Sequence, residues 1–254
     1  MERLRHVARS GGVDAAIIVA ETVDALTRLG PAPSELVPLC RNLVERNPTC
    51  GPLWWLCAHL LARPESLSDS WVLAEDIERD ATPGRLAERV PDEATVMTVG
   101  YPALTAQALR RCGSVSVLAV LAGEDGNRLV RAMDRAGVDV EPVLPEATLA
   151  TMRRVDIVLL EAEACSTDAV VAPMGSGLAA VAAAAVGVPV WLVAGRGRRL
   201  PVLFVEAITR GLRGDSETFS TNLVNQVAGP EGVVVVSADA LAPECPAVPE
   251  LLPT

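Results

Sequence analysis

The first part of the chain carries apolar side chains at helical spacing. The stretch VDAAIIVAETVDALTRLG repeats apolar positions every three to four residues and stops at a Gly-Pro pair. Three more stretches have helical spacing: 34–48, where Ser34 suits an N-cap; 51–64; and 68–90, which breaks at Pro83-Gly84. We therefore predict a helical N-terminal domain over residues 1–90.

After residue 90, short apolar runs alternate with helical stretches. The runs that predict strands are residues 94–100, 114–123, 138–143, 155–162, 188–195 and 232–238. This alternation predicts an α/β domain over residues 91–254, with a Rossmann-like parallel sheet and helices on both faces. Ligands bind at the carboxyl ends of such strands. The tail ALAPECPAVPELLPT has four prolines and predicts an extended surface segment.

Composition narrows the classes of function. The net charge is −10 and the pI is about 4.8, so the surface repels phosphate backbones and we expect no nucleic-acid partner. Gly187 and Pro189 break the longest apolar run, which therefore predicts a helix and a strand and no membrane span. The start MERLRHVARSGG lacks the apolar core of a signal peptide, so we expect a cytoplasmic protein.

The residue types present also limit the chemistry. All 22 basic residues are arginine, which removes lysine Schiff-base chemistry. The two histidines, His6 and His59, both lie in the helical part, which disfavours a Ser-His-Asp triad and a histidine-rich metal site. The six cysteines form no CxxC pair. We therefore assign neither a metal nor a cofactor.

The stretch PMGSGLAAVAAAAVG places small residues at the start of a helix. Free N–H groups and the positive end of the helix dipole make Gly175, Ser176 and Gly177 a candidate anion site. A tight turn with close helix packing explains the same residues equally well. With Ala180, the glycines also match the dinucleotide fingerprint, although that motif normally follows the first strand of its sheet.

A basic cluster follows the strand at 188–195. Arg196, Arg198 and Arg199 suit a phosphate, because guanidinium groups bind phosphate in a bidentate manner. They would also suit the 2′-phosphate of NADP, which leaves an NADP-dependent enzyme as an alternative. A solvated turn is the plainer explanation for any one of these arginines.

An acidic segment, EAEAC, follows the strand at 155–162. Glu161 and Glu163 lie two residues apart, so an extended backbone places them on one face, where one carboxylate can raise the pKa of the other. Asp168 either caps the local chain or faces the same cleft. Cys165 is a candidate nucleophile, but no nearby histidine supports it.

Three stretches together resemble a known family. They are VARSGGVDAAIIVAETVDAL, RNPTCGPLWWL and DIVLLEAEACSTDAVVAPMGSGLAAVAAAAVGVPVWLVA. They are similar to the helix starts and the main block of the α, β and δ subunits of initiation factor 2B, with methylthioribose-1-phosphate isomerase and ribose-1,5-bisphosphate isomerase. The resemblance implies a helical domain, a Rossmann-like domain and a homodimer, and it places Arg9 at the family's early arginine position.

The chain departs from the isomerases at their reactive positions. Glu163 stands at the family's catalytic aspartate, and Gly100 stands where the catalytic thiol would be. Ala172-Pro173 replaces an Asn-Lys pair. Because aldose–ketose isomerisation needs a group that moves a proton and another that polarises the carbonyl, activity of the known kind is in doubt.

The leading hypothesis is therefore an initiation-factor-2B-like protein that acts as a non-catalytic or regulatory binder of a phosphorylated sugar or nucleotide. Its candidate ligand-binding residues are Arg9, Gly100, Gly175, Ser176, Gly177, Arg196, Arg198 and Arg199. The first alternative is an active sugar-phosphate isomerase that uses Glu163 and Asp168. A homodimeric scaffold with an empty pocket is the plainest alternative.

Overall fold

The structure, a computed structural model, describes residues 14–212 and 214–252. Helix α1 (Ala15–Leu29) begins where the Asp14 carboxylate accepts a hydrogen bond from the Ala16 amide, and it ends at Gly30 with φ +55°. A left-handed residue of this kind is the usual end of a helix, and glycine adopts it without strain. The predicted first helix is thus confirmed at both ends.

The six strands that the hydrophobic pattern predicts are present, with helices between them. The remaining helices are α2 (Pro33–Arg46), α3 (Gly51–Ala62), α4 (Ser70–Glu78), α5 (Thr82–Ala87), α6 (Ala103–Leu109), α7 (Gly123–Arg135), α8 (Thr148–Thr151), α9 (Ser176–Val186) and α10 (Val202–Gly211). The strands are β1 (Thr95–Val99), β2 (Ser116–Val120), β3 (Asp139–Val143), β4 (Ile157–Glu161), β5 (Ala164–Cys165), β6 (Ala169–Pro173), β7 (Val190–Val193), β8 (Ser216–Ser220), β9 (Gln226–Gly229) and β10 (Gly232–Val235). Of these, β5, β6, β8 and β9 are four strands that the pattern did not predict.

The main sheet has the strand order β10-β9-β7-β4-β1-β2-β3 within the described residues. All of its neighbouring strands run parallel except β10, which is antiparallel to β9. Only Pro230 and Glu231 join β9 to β10, and so short a connection can make a hairpin but not a parallel crossover. The predicted α/β class is confirmed, with an antiparallel edge strand.

Alternate residues of the parallel strands pack on opposite faces of the sheet. Met97 and Val99 of β1 lie in one core with the alanines of α9, whereas Val96 lies in another core with residues of α6 and α7. The central strands β1, β2, β4 and β7 are buried on both sides, which explains why they are continuous apolar runs in the sequence. Helices therefore cover both faces.

A third core joins the N-terminal helices to α10. Trp54 of α3 packs against Phe204 of α10 with ring centroids 5.4 Å apart, and both side chains are buried. The predicted domain boundary between residues 90 and 91 falls between α5 and β1, yet this core contains residues from both sides of it. That the two parts form separate domains remains a prediction.

A small antiparallel sheet was missed by the sequence pattern. It has the order β5-β6-β8 and packs between α9 and α10. Strand β8 (SETFS) is mostly polar and half exposed, so it lacks the apolar run that marks a buried strand.

The proline-rich tail runs over the surface as predicted, but some of its side chains are anchored in the core. Leu251 is completely buried in the core around α3, and Cys245 is buried beside it. Apolar side chains between the prolines provide the area that holds the segment down. The prediction missed these anchors, although Pro243, Pro246 and Pro249 are exposed as expected of a surface segment.

Candidate functional site

The site lies at the carboxyl edge of the parallel sheet, where β1, β4 and β7 end. Glu161 is the last residue of β4 and is in register with Val193 of β7. Gly100 follows β1 directly, and its amide donates to the Val120 carbonyl of the adjacent β2. Parallel strands bring these ends together, so residues far apart in the sequence meet here.

A buried ion pair occupies the centre of this edge. Nη2 of Arg198 lies 3.0 Å from Oε1 of Glu161, and Nη1 of Arg198 donates to the Ala162 carbonyl. Oε2 of Glu161 accepts hydrogen bonds from the amide (3.0 Å) and hydroxyl (3.2 Å) of Thr105. Burial raises the pKa of Glu161, and Arg198 and Thr105 oppose part of that rise. Arg198 therefore faces the protein's interior and not a ligand.

The other two arginines are held by the tail. Oε1 of Glu244 lies 2.7 Å from Nη2 of Arg199 and 3.1 Å from Nη1 of Arg196, and Oε2 accepts a hydrogen bond from the Gly197 amide. The Arg199 Nη1 also donates to the Ala240 carbonyl. A single buried carboxylate thus occupies the place that a phosphate was predicted to take.

Beside these arginines there is a cavity of about 50 Å³. Its lining includes Asp14, Asp80, Leu104, Arg196 and Arg198. One water molecule needs about 10–15 Å³ of such space, whereas small-molecule pockets run to about 300–1,000 Å³, so this cavity suits a few waters and is too small for a sugar phosphate.

Glu163 joins the small sheet to the helical part. Its amide donates to the Val171 carbonyl (2.8 Å), and its carbonyl accepts from the Gly51 amide at the start of α3 (3.1 Å). Oε2 of Glu163 is buried and has no hydrogen-bond partner among the described residues. Burial raises the pKa of Glu163, and the nearby Ser216, Arg198 and Thr49 oppose that rise only in part. It is thus a carboxyl group with unused hydrogen-bonding capacity.

Asp168 does not share a space with Glu163. Residues 164–173 form the β5–β6 hairpin, and Asp168 is exposed in its turn, where its carbonyl accepts from the Thr221 amide. Its side chain lines a groove beside α10, which Glu163 does not line. The two carboxylates that the isomerase hypothesis pairs are therefore carried to different places by the hairpin.

The predicted glycines do come together at the start of α9. A Cβ on Gly175 would lie 3.5 Å from Val99, and one on Gly100 would lie 3.5 Å from Pro173, which is the end of β6. Both glycines have positive φ, +96° and +68°, so a side chain at either position would strain the backbone. The close approach that the sequence indicated is present.

The N terminus of α9 already holds an anionic group. The Gly177 amide donates to Oε1 of Glu217 of β8 at 2.8 Å, while Ser176 is buried. The positive end of the helix dipole favours a carboxylate at this position. Glu217 and Glu244 were both missed by the sequence analysis, because nothing near either residue indicates a partner about 40 positions away.

Three further predictions concern the dinucleotide fingerprint, the Cys165 nucleophile and Arg9. The dinucleotide fingerprint follows β6 of the antiparallel sheet, and not a strand of the parallel sheet as the fingerprint requires. Cys165 is buried, and burial raises the pKa of its thiol to about 12, so it is not a nucleophile at neutral pH. Arg9 lies outside the described residues.

The described residues give no sign of a metal site or of a membrane-spanning helix. They contain no cluster of three or more His, Cys, Asp or Glu residues that could hold a metal ion. No helix in the described part of the chain is both long and apolar enough to cross a membrane.

The fold and the site define a class of α/β protein in which a set of helices precedes a Rossmann-like sheet along the chain. The sequence model of the initiation factor 2 subunit family matches residues 72–198, and the chain belongs to that family. No curated protein sequence matches the chain.

Solved structures share the fold across nearly the whole chain. The translation initiation factor eIF-2B of Pyrococcus horikoshii OT3 superposes with a TM-score of 0.78 and 18% identity, covering 94% of this chain and 98% of its own. The tetrameric eIF2B-beta2-delta2 complex of C. thermophilum superposes with a TM-score of 0.74 and 15% identity, covering 94% of this chain and 91% of its own. The eIF2B beta subunit of Chaetomium thermophilum superposes with a TM-score of 0.67 and 15% identity, covering 89% of this chain and 83% of its own.

Proposed function

We propose that this chain is a non-catalytic, regulatory member of its family that binds a phosphorylated sugar or nucleotide at the N terminus of α9. The hydrogen bond from the Gly177 amide to Glu217 carries the proposal, because it marks a position where the fold stabilises an oxyanion. A phosphate oxygen at this position would replace the carboxylate.

The surroundings of α9 support a ligand rather than a turn alone. Gly100 and Gly175 hold the floor of the site free of Cβ atoms at the ends of β1 and β6. Backbone that approaches without side chains lets a phosphate come close to N–H groups. Arg196, Arg198 and Arg199 take no part in the proposed phosphate site, since Glu161 and Glu244 already pair with them.

Three observations support a binding role over isomerisation. Gly100 offers no nucleophile, and Glu163 and Asp168 line different spaces. Burial raises the pKa of both Glu161 and Glu163, but Glu161 is held by Arg198 and Thr105, so Glu163 has no unpaired acid–base partner among the described residues. We further propose a cytoplasmic homodimer, because members of the matched fold assemble in the complex of C. thermophilum named above.

A thermal-shift screen tests the proposal. Sugar phosphates and nucleoside monophosphates are compared with the same unphosphorylated sugars and nucleosides at millimolar concentration. A ligand that binds only the folded chain raises the melting temperature through RT ln(1 + [L]/Kd). We expect shifts with the phosphorylated set alone, and a reduced shift in Gly175→Ala. Equal behaviour of the two sets would overturn the phosphate assignment.

A further inference from the structure

A polar cavity lies at the opposite edge of the parallel sheet, where β1, β2 and β3 begin. Its volume is about 420 Å³, within the range of about 300–1,000 Å³ that small-molecule sites occupy. The loop between α6 and β2 and the loop between α7 and β3 form its walls, and Glu93 lines it from the segment before β1. The cavity is therefore separate from the proposed phosphate site, which lies where the strands end.

Charged side chains of both signs line this cavity. Arg110 and Glu93 are exposed, and neither forms an ion pair or a side-chain hydrogen bond within the described residues. Asp139 uses one carboxylate oxygen, Oδ2, which accepts a hydrogen bond from the Ser116 hydroxyl at 2.7 Å. One base and two acids of the lining are therefore available to a ligand.

The strand register holds the two acids apart. Ser116 at the start of β2 is in register with Thr95 of β1 on one side and with Asp139 of β3 on the other. Glu93 precedes Thr95 by two residues, and its amide donates to the Ser114 carbonyl. Neighbouring strands lie about 4.7–4.9 Å apart, so the backbones of β1 and β3 are roughly 10 Å apart at this edge. The two acids therefore start from opposite sides of β2, with room for a ligand between them.

Free backbone groups add to the contacts that these side chains offer. Gly113 and Ser114 line the cavity together with Arg110, and their amides donate to no acceptor within the part of the chain that the structure describes. Consecutive free amides with a guanidinium group suit a carboxylate. Helix α7 ends at the cavity, which Ala136 and Gly137 line, and the negative end of its dipole favours a positive group. The cavity thus has positions for groups of both signs.

We propose that this cavity binds a free basic α-amino acid, the class to which lysine and arginine belong. The carboxylate of the ligand binds Arg110 and the loop amides, and its two positive groups bind Glu93 and Asp139. A simple anion leaves both acids unpaired, and a diamine leaves Arg110 unpaired, so a ligand that carries all three charges matches the cavity best. This inference goes beyond the proposed function and does not depend on it.

Calorimetric titration of the full chain with lysine tests the cavity. Each of three analogues lacks one charged group: cadaverine lacks the carboxylate, ε-aminocaproate lacks the α-ammonium group, and norleucine lacks the side-chain cation. We expect each analogue to bind about tenfold more weakly than lysine or worse, because each leaves one charged side chain of the cavity unpaired. No binding of lysine or arginine at millimolar concentration would overturn the proposal, and so would equal binding of cadaverine and lysine.

Variants of the lining locate the bound lysine. Arg110→Gln and Asp139→Asn should each raise the lysine dissociation constant by about tenfold or more. Arg111→Gln is the matched control, because Arg111 is the exposed neighbour of Arg110 and does not line the cavity. An unchanged dissociation constant in Arg110→Gln or Asp139→Asn would overturn the proposal, as would an equal loss in Arg111→Gln. Circular dichroism and thermal unfolding confirm that each variant is folded, and phosphate binding at α9 is measured separately.

Discussion

Glu244 and Arg199 lie 45 residues apart in the sequence and form an ion pair of 2.7 Å beside the candidate site. The same glutamate also anchors the C-terminal segment, because its carbonyl accepts from Nε1 of Trp55 at 3.1 Å and its amide donates to the Arg199 carbonyl. One residue therefore joins the tail, the arginine loop and α3. The arginines that suggested a phosphate site stabilise the fold instead.

Removing this carboxylate should destabilise the chain strongly. Glu244→Ala leaves Arg199 and Arg196 without their shared counter-charge in a largely buried position, and breaking a buried pair in this way costs about 3–5 kcal/mol. Denaturant unfolding measures the loss of unfolding free energy. Glu231→Ala is the control: Glu231 is 85% exposed and lies 3.8 Å from Arg196, so its loss should change stability by less than about 0.5 kcal/mol.

Glu163 should make stability depend on pH. Because its pKa is raised in the folded chain, the folded state binds the proton more tightly than the unfolded state. Its favourable contribution is complete below the ordinary value of 4.5 and is lost as the pH rises through the raised pKa. The unfolding free energy of Glu163→Gln should therefore fall less steeply with rising pH than that of the wild type.

The control for this pH dependence removes one carboxylate elsewhere. Glu45 is exposed on α2, so Glu45→Gln changes the net charge by the same amount without touching the buried site. Unfolding is followed from pH 4 upward in all three proteins. Identical slopes for Glu163→Gln and the wild type would contradict the assignment of a raised pKa.

The start of α3 should not tolerate a side chain. A Cβ at Gly51 would clash with the Glu163 carbonyl oxygen, and it would lie 3.3 Å from Cα of Arg198. Forcing an atom into such a contact costs about 1–3 kcal/mol, so Gly51→Ala should lower the unfolding free energy by that amount. Gly113→Ala is the matched control, because no atom lies within 4 Å of the added group. If the unfolding free energy of Gly51→Ala equals that of the wild type, α3 can shift freely to make room for the side chain.

The parallel sheet was predictable because burial on both faces leaves a simple signal. Runs such as VDIVLLEA and VPVWLVAG are continuous in the sequence and become β4 and β7. The helices around them repeat apolar residues every three to four positions for the same reason. These signals are local, so a single sequence contains them.

The features that the sequence did not predict depend on contacts between residues that lie far apart in the chain. Strand β8 is polar and half exposed, and it is held by pairing with β6, which begins 47 residues before it. Glu217 and Glu244 are ordinary surface residue types whose partners lie about 40 residues away. The glycines at 100 and 175 were identified by local pattern, whereas the carboxylates that fill the predicted anion positions required the tertiary fold.

The central claim is that the N terminus of α9 is an oxyanion site that Glu217 occupies in competition with phosphate. Calorimetric titration of inorganic phosphate into the wild type and Glu217→Ala tests it most directly, with Glu231→Ala as the control for one lost negative charge. Hydrogen bonds to charged groups contribute about 1.5–3 kcal/mol. Loss of the competing carboxylate should therefore lower the phosphate dissociation constant of Glu217→Ala by about tenfold or more, with no change in the control. Equal affinity in all three proteins, or no binding in any of them, would contradict the account.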